Sequence, residues 1–175
     1  MRFAPGESNY HSYSIPDGPV RADPSTTTQG IINRPTRVLP LFVRPASPEG
    51  TPNDATPPAA YPVGVVRRIL RGEWPFFTNV GPVRSYVTTD QTGAQVVVNV
   101  TEPGHQLYPG IVIRYVTETL AGPVIRNEGT GRGSLQGPEG PARGAFNNQV
   151  WEGQAQEILD EERRNRGWSR PLGRP

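Results

Sequence analysis

The sequence predicts an α+β domain, in which a small antiparallel β-meander packs with a C-terminal helix and follows an extended proline-rich arm. Twelve of the 21 prolines precede Val63, so the apolar side chains that must build a core are concentrated after that point. Runs rich in β-branched residues, separated by turn sequences, follow between residues 83 and 128. Beyond them, apolar residues recur at helical spacing.

Residues 1–62 are predicted to form the extended arm or linker. Stretches such as 45–52 and 57–62 suit polyproline II or irregular backbone. The five arginines of the arm balance five acidic residues, so the arm is not a charged tail. Residues 37–43 are apolar enough to pair as an edge strand or to dock in a groove, whereas Pro40 argues against a central strand.

Residues 63–175 are predicted to form the compact domain. A short helix is expected near residues 65–70, followed by strands 83–89 and 94–101 around a turn at residues 90–93. Strands 110–118 and 123–128 follow, joined across residues 120–122, and a glycine-rich loop then spans residues 129–144. One helical face carries the apolar side chains Phe146, Val150, Trp151, Ile158 and Leu159, and an arginine-rich tail ends the chain.

Composition excludes several classes of site. The chain has no cysteine, which removes thiolate metal sites, cysteine nucleophiles and disulfides. All 18 basic residues are arginine, which removes lysine-based catalysis and the phosphate loop that requires lysine. We therefore expect no cofactor and no metal. Neither a secretory signal nor an apolar run long enough for a membrane span is present in the sequence.

The segment joining the second and third strands of the meander carries the first candidate site residues. His105 lies in a loop whose glycines and prolines restrict the backbone, and a rigid loop on a sheet can position a general acid or base. Glu102 precedes it by three residues, close enough to share a pocket. The alternative is that His105 only satisfies the backbone of its own loop.

Arg114 and Arg126 complete the candidate site. Both faces of strand 110–118 are apolar, so Arg114 must be paired or must face a polar cleft, because an unpaired buried charge is costly. Arg126 lies on the neighbouring strand and shares a face with Glu128. A structural pair of Glu128 with either arginine is the competing interpretation.

These four side chains suit cleavage of RNA without a metal. Glu102 would take the proton of the 2′-hydroxyl, and His105 would protonate the leaving oxygen. Arg114 and Arg126 would bind the phosphate as charge develops on it. The sequence therefore predicts a ribonuclease with RNA as its substrate.

A resemblance accompanies this interpretation. Residues 99–110 read N-x-T-x-P-G-H-x-L-x-P-G, and they are followed by Asn-Glu-Gly-Thr-Gly at 127–131 and Asn-Asn-Gln-Val-Trp at 147–151. Over residues 76–159 the chain resembles the C-terminal toxin domains of bacterial polymorphic toxins, of the Rhs and contact-dependent-inhibition type. The resemblance implies delivery into a competitor cell, neutralisation by a cognate immunity protein, and a place for His105 in an active site.

Two other functions stay open. In the first, the chain is a non-enzymatic structural or assembly protein, such as a virion or secretion-machine component, whose arm (residues 1–62) wraps a neighbouring subunit. In the second, it is an ADP-ribosyltransferase, although the arginine, serine and glutamate motifs of that class are not clear. An enzyme predicts a cleft that converges on His105, whereas an assembly protein predicts that His105 lies on a loop of purely structural importance.

Overall fold

The fold is built around one mixed, mostly antiparallel sheet. The computed structural model describes residues 11–19, 23–36, 44–56, 59–60, 78–79, 81–105 and 107–132, together with Ala155, Ile158 and Arg164. The strands of the sheet are β1 (His11–Pro19), β2 (Ser47–Pro48), β5 (Val83–Thr89), β6 (Gln95–Thr101), β7 (Gly110–Thr119) and β8 (Gly122–Gly131). Their order is β1-β8-β7-β6-β5-β2, and only the short β2 pairs in parallel.

The predicted antiparallel meander is confirmed as β5 to β8. Asp90 closes the first hairpin, because its carboxylate accepts hydrogen bonds from the backbone N–H groups of Thr92 (2.8 Å) and Ala94 (3.0 Å). Gly93 supplies the positive φ of +85° that this turn needs. The strand β8 is longer than predicted, since Gly129 and Gly131 pair with Val112 and Gly110 instead of opening a loop.

A short helix, α1 (Pro24–Asn33), covers one face of the sheet. Asp23 is its N-cap and accepts a hydrogen bond from the Thr26 N–H at 3.0 Å, while Pro24 suits the first turn because its missing N–H would have no helical partner there. Ile31 projects from α1 into the core, which also contains Ala46, Val97, Ile125, Ala155 and Ile158. We call this side of the sheet the covered face.

The α+β class is confirmed at the level of a mostly antiparallel sheet with one short helix, but the extended arm is not confirmed. β1 instead pairs with β8 from Pro19 back to His11, and α1 contributes to the core. A second, two-stranded sheet joins β3 (Ala59–Ala60) to β4 (Thr78–Asn79). The predicted domain boundary at residue 62 falls outside the described residues.

Several other predicted elements also lie outside the described residues. They are the edge strand at 37–43, the helix at 65–70 and most of the glycine-rich loop at 133–144. Of the predicted C-terminal helix and tail, Ala155, Ile158 and Arg164 are described, and all three are helical. Ala155 and Ile158 are buried and belong to the same core as Ile31 of α1.

Candidate functional site

The loop between β6 and β7, which carries Glu102 and His105, is held by hydrogen bonds at both ends. It contains a cis peptide bond between Tyr108 and Pro109. At its base the Thr101 hydroxyl accepts from the Gly110 N–H (2.7 Å) and donates to the Gly110 carbonyl (3.0 Å). Inside the loop the His105 N–H donates to the Glu102 carbonyl at 3.0 Å. These hydrogen bonds restrain the described part of the loop.

His105 is buried within this loop. The residue is 8% exposed, and its Nδ1 atom accepts a hydrogen bond from the Leu107 N–H at 2.9 Å. Gly81 lies so close that a Cβ atom there would come within 2.4 Å of the His105 Cα. Burial lowers the pKa of His105 to about 4, so the ring is neutral at pH 7, with its proton on Nε2.

This protonation state limits the chemistry of His105. A general acid needs a pKa near the working pH, and a group that is neutral at pH 7 has no extra proton to give to a leaving oxygen. The Nδ1 lone pair is already used by the backbone of the loop. These contacts match the alternative interpretation, in which His105 satisfies its own loop.

Glu102 forms an ion pair that the sequence does not single out. Its Oε1 atom lies 2.8 Å from Nε of Arg84 on β5, with both side chains about one-third exposed. A pair that is exposed to solvent contributes on the order of 0–1 kcal/mol to stability. Glu102 and His105 thus lie in one loop, and Glu102 is paired with Arg84 of β5.

Arg114 lies in the core. Its side chain is 0% exposed on the covered face, and its Nε atom donates to Asn127 Oδ1 at 2.7 Å. Its Nη1 atom donates to the carbonyls of Pro35 (3.2 Å) and Arg34 (3.4 Å), just beyond the end of α1. The sequence predicts that Arg114 is paired or faces a cleft, and here it is paired with the backbone of a segment far away in the sequence.

Arg114 belongs to a buried line of polar side chains that we call the polar row, formed by Ser85, Asn99, Arg114 and Asn127. These four residues lie on four adjacent strands. Ser85 donates to Asn99 Oδ1 at 2.7 Å, and Asn99 donates to the Pro35 carbonyl at 3.0 Å. Buried polar groups need hydrogen-bond partners. Here the bonds from Asn99 and Arg114 fix residues 34–35, which directly follow α1, on the sheet.

Arg126 lies on the other face of the sheet. It is adjacent in β8 to Asn127, which faces α1, and successive side chains of a strand point to opposite faces. Arg126 is only half-buried, and it lies opposite Tyr115 in the register of β7 and β8. Glu128 accepts a hydrogen bond from the Tyr115 hydroxyl at 2.5 Å, which raises the pKa of Tyr115.

The structure therefore brings Glu102 and His105 together on one loop, but it places Arg114 and Arg126 on opposite faces. A cavity of about 480 Å³ among the described residues lies elsewhere, between the turn after β2 and strands β5 and β6. None of the four predicted site residues lines it. Its lining residues are Glu49, Gly50, Thr51, Pro52, Tyr86, Thr88, Val98 and Val100.

The buried structural role of the two asparagines of the polar row was not predicted from the sequence, although the sequence pattern around them indicates it. Asn99 interrupts a run of valines in β6, and Asn127 follows Val124 and Ile125 in β8. An amide within an apolar strand has to find a buried partner. In the described part of the chain, no cluster of three or more His, Asp or Glu residues is arranged to hold a metal ion.

Comparison with known proteins adds no family assignment. No protein-family model matches the chain, and no curated protein matches it. Within the described residues there is no helix with the length and apolar character needed to cross a membrane.

Proposed function

We propose that this chain is a non-enzymatic structural or assembly protein, whose N-terminal segment docks against a neighbouring subunit. The proposal rests on His105 and Arg114, the two side chains best suited to catalysis, because the contacts of both stabilise the fold. His105 accepts a hydrogen bond from its own loop, and Arg114 holds the exit of α1. Neither is presented to a substrate by the contacts that surround it.

The N-terminal segment supports the same proposal. β1 adds a strand to one end of the meander, and residues 44–56 cover the outer edge of β5 at the other end. Addition of an extended segment to a sheet edge is a common way in which one polypeptide binds another. The N-terminal segment thus contains backbone that pairs along sheet edges.

Light scattering of the purified full-length chain across a wide range of concentrations tests the proposal. An assembly protein gives a mass above the 19.1 kDa of one chain, and the mass rises with concentration. A mass of one chain at every concentration would overturn the proposal.

The metal-independent ribonuclease is the second candidate. One observation favours it: Glu102 and His105 share one loop, and Arg84 lies against Glu102. RNA as substrate and a cognate immunity protein as partner belong to this second candidate. Incubation of the full-length chain with RNA in the presence of a chelator distinguishes the assembly protein from the ribonuclease, because only a metal-independent ribonuclease would produce RNA fragments.

A further inference from the structure

The floor of the 480 Å³ cavity beside β5 is the face of the sheet opposite the covered face. It carries Tyr86 and Thr88 of β5 and Val98 and Val100 of β6. The residues of the polar row alternate with these four along the same strands, and successive side chains point to opposite faces. Tyr86 and Val98 are Cα partners, so their side chains lie side by side. All four floor residues are only partly buried, so the floor is open to a ligand.

One wall of the cavity is a hydrogen-bonded turn at residues 48–51. The Thr51 N–H donates to the Pro48 carbonyl at 3.1 Å, and Gly50 supplies the positive φ of +77° at the third position of the turn. The Glu49 N–H donates to the Val87 carbonyl at 3.1 Å, which fastens the turn to β5. These bonds hold the backbone of Glu49 at the rim of the cavity.

Glu49 is the single charged residue among those that line the cavity. The described residues include no ion-pair partner for its carboxylate. Arg84, which lies opposite Val100 in the register of β5 and β6, is already paired with Glu102 at 2.8 Å. The cavity therefore combines an apolar floor with an unpaired negative charge at its rim.

This combination suits a small organic cation with an apolar body. Ligand sites are clefts of about 300–1,000 Å³ with mostly apolar walls and a few polar groups. The floor valines and Pro52 offer apolar surface, while the ring of Tyr86 attracts a cation that lies against its face. The hydroxyls of Thr51 and Thr88 can accept hydrogen bonds from N–H groups of the ligand. An anion would instead meet the Glu49 carboxylate without a compensating positive charge.

We propose that the cavity beside β5 is a binding site for a small organic cation. Its guanidinium or ammonium group lies between Glu49 and Tyr86, and its apolar body lies on Val98 and Val100. The proposal goes beyond the assembly function and does not depend on it, because the site is complete within one chain.

Titration of the full-length chain with benzylguanidinium, followed by NMR of the backbone amides, tests the proposal. Benzylurea is the matched neutral probe, since it has nearly the same shape without the charge. The amide resonances of Gly50 and Thr88 should shift until the site is saturated. Benzylguanidinium should bind about threefold to tenfold more tightly than benzylurea, the range expected of one exposed charge pair with a cation–π contact.

Glu49→Gln assigns this preference to the carboxylate. The substitution keeps the size of the side chain at an exposed position of the turn, so the fold should be retained. It should weaken binding of benzylguanidinium severalfold and leave that of benzylurea unchanged. Glu118→Gln, an exposed acidic residue near the end of β7, is the matched control and should leave both affinities unchanged.

Three results would overturn the proposal. The first is equal affinity of the wild-type chain for the two probes, or no saturable binding of either. The second is a set of shifts confined to residues outside the cavity. The third is an equal loss of affinity in Glu49→Gln and Glu118→Gln, because the cation would then respond to the overall charge of the chain and not to Glu49.

Discussion

Replacement of Arg114 by alanine tests whether this arginine holds the fold. The substitution removes the donor to Asn127 Oδ1 at 2.7 Å, and loss of a partner by a buried acceptor costs about 1–3 kcal/mol. The Pro35 carbonyl still receives the Asn99 amide at 3.0 Å. Truncation of a fully buried long side chain adds a cavity, and core truncations of this size cost about 2–5 kcal/mol.

Part of this cost is offset, because the variant no longer has to bury a charge. We therefore expect the free energy of unfolding to fall by about 3 kcal/mol for Arg114→Ala, which lowers the melting temperature by about 6–12 °C in a domain of this size. Urea unfolding followed by circular dichroism measures the change.

Arg126→Ala is the matched control. Arg126 is the same residue type in the same sheet, but it lies on the opposite face and is half-exposed. Substitution there should change the free energy of unfolding by less than about 1 kcal/mol. Equal losses for Arg114→Ala and Arg126→Ala would refute the reasoning, because they would mean that the contacts of Arg114 with the exit of α1 do not stabilise the fold.

Three further predictions concern His105, Gly81 and the polar row. Burial lowers the pKa of His105 from 6.5 to about 4, so the unfolded chain binds this proton first as the pH falls. The stability that depends on neutral His105 is fully present above pH 6.5, and the free energy of unfolding falls by up to about 3 kcal/mol between pH 6.5 and pH 4. Urea unfolding across this window should show a weaker pH dependence for His105→Gln than for the wild-type chain. An equal pH dependence in the two proteins would contradict the burial of His105. Gly81→Ala should lower the free energy of unfolding by more than about 3 kcal/mol, because it combines a positive φ with a clash against the His105 backbone. Gly93→Ala has the positive φ but open space, so it should lower the free energy of unfolding by only about 1–2 kcal/mol. Similar melting temperatures for the two variants would contradict this reasoning. In a double-mutant cycle Ser85→Ala and Asn99→Ala should couple by about 0.5–1.5 kcal/mol, and additive losses would contradict their hydrogen bond.

The meander is the part of the fold that the sequence predicts well. Its strands pair with sequence neighbours, and its first turn is encoded locally by Asp90 and Gly93. The end of β8 is harder to predict, because Gly129 and Gly131 have low strand preference and are extended only by pairing with β7.

The N-terminal elements are predicted poorly because distant partners determine them. The prolines in residues 11–19 argue for irregular backbone, yet this stretch is an outermost strand of the sheet through pairing with β8, more than a hundred residues later. The helix α1 does have a local signal, Asp23 followed by Pro24, which is a favoured helix start. The surrounding proline content outweighs that signal.

The candidate site shows the same division between local and distant information. The sequence requires that a buried Arg114 have a partner, and it has one. The partners include the carbonyls of Arg34 and Pro35, roughly eighty residues earlier, and no local pattern could indicate them. The rigid loop around His105 is predictable from its glycines and prolines, whereas its burial depends on Gly81 and neighbouring strands.

The proposed role of His105 is to hold its loop, without acting on RNA. The most direct test of this role is the integrity of total RNA in a bacterial host that expresses the full-length chain, compared with a host that expresses His105→Gln at an equal level of folded protein. We expect intact RNA in both hosts. Fragmentation by the wild-type chain that disappears in a folded His105→Gln variant would contradict the structural role of His105 and establish the ribonuclease.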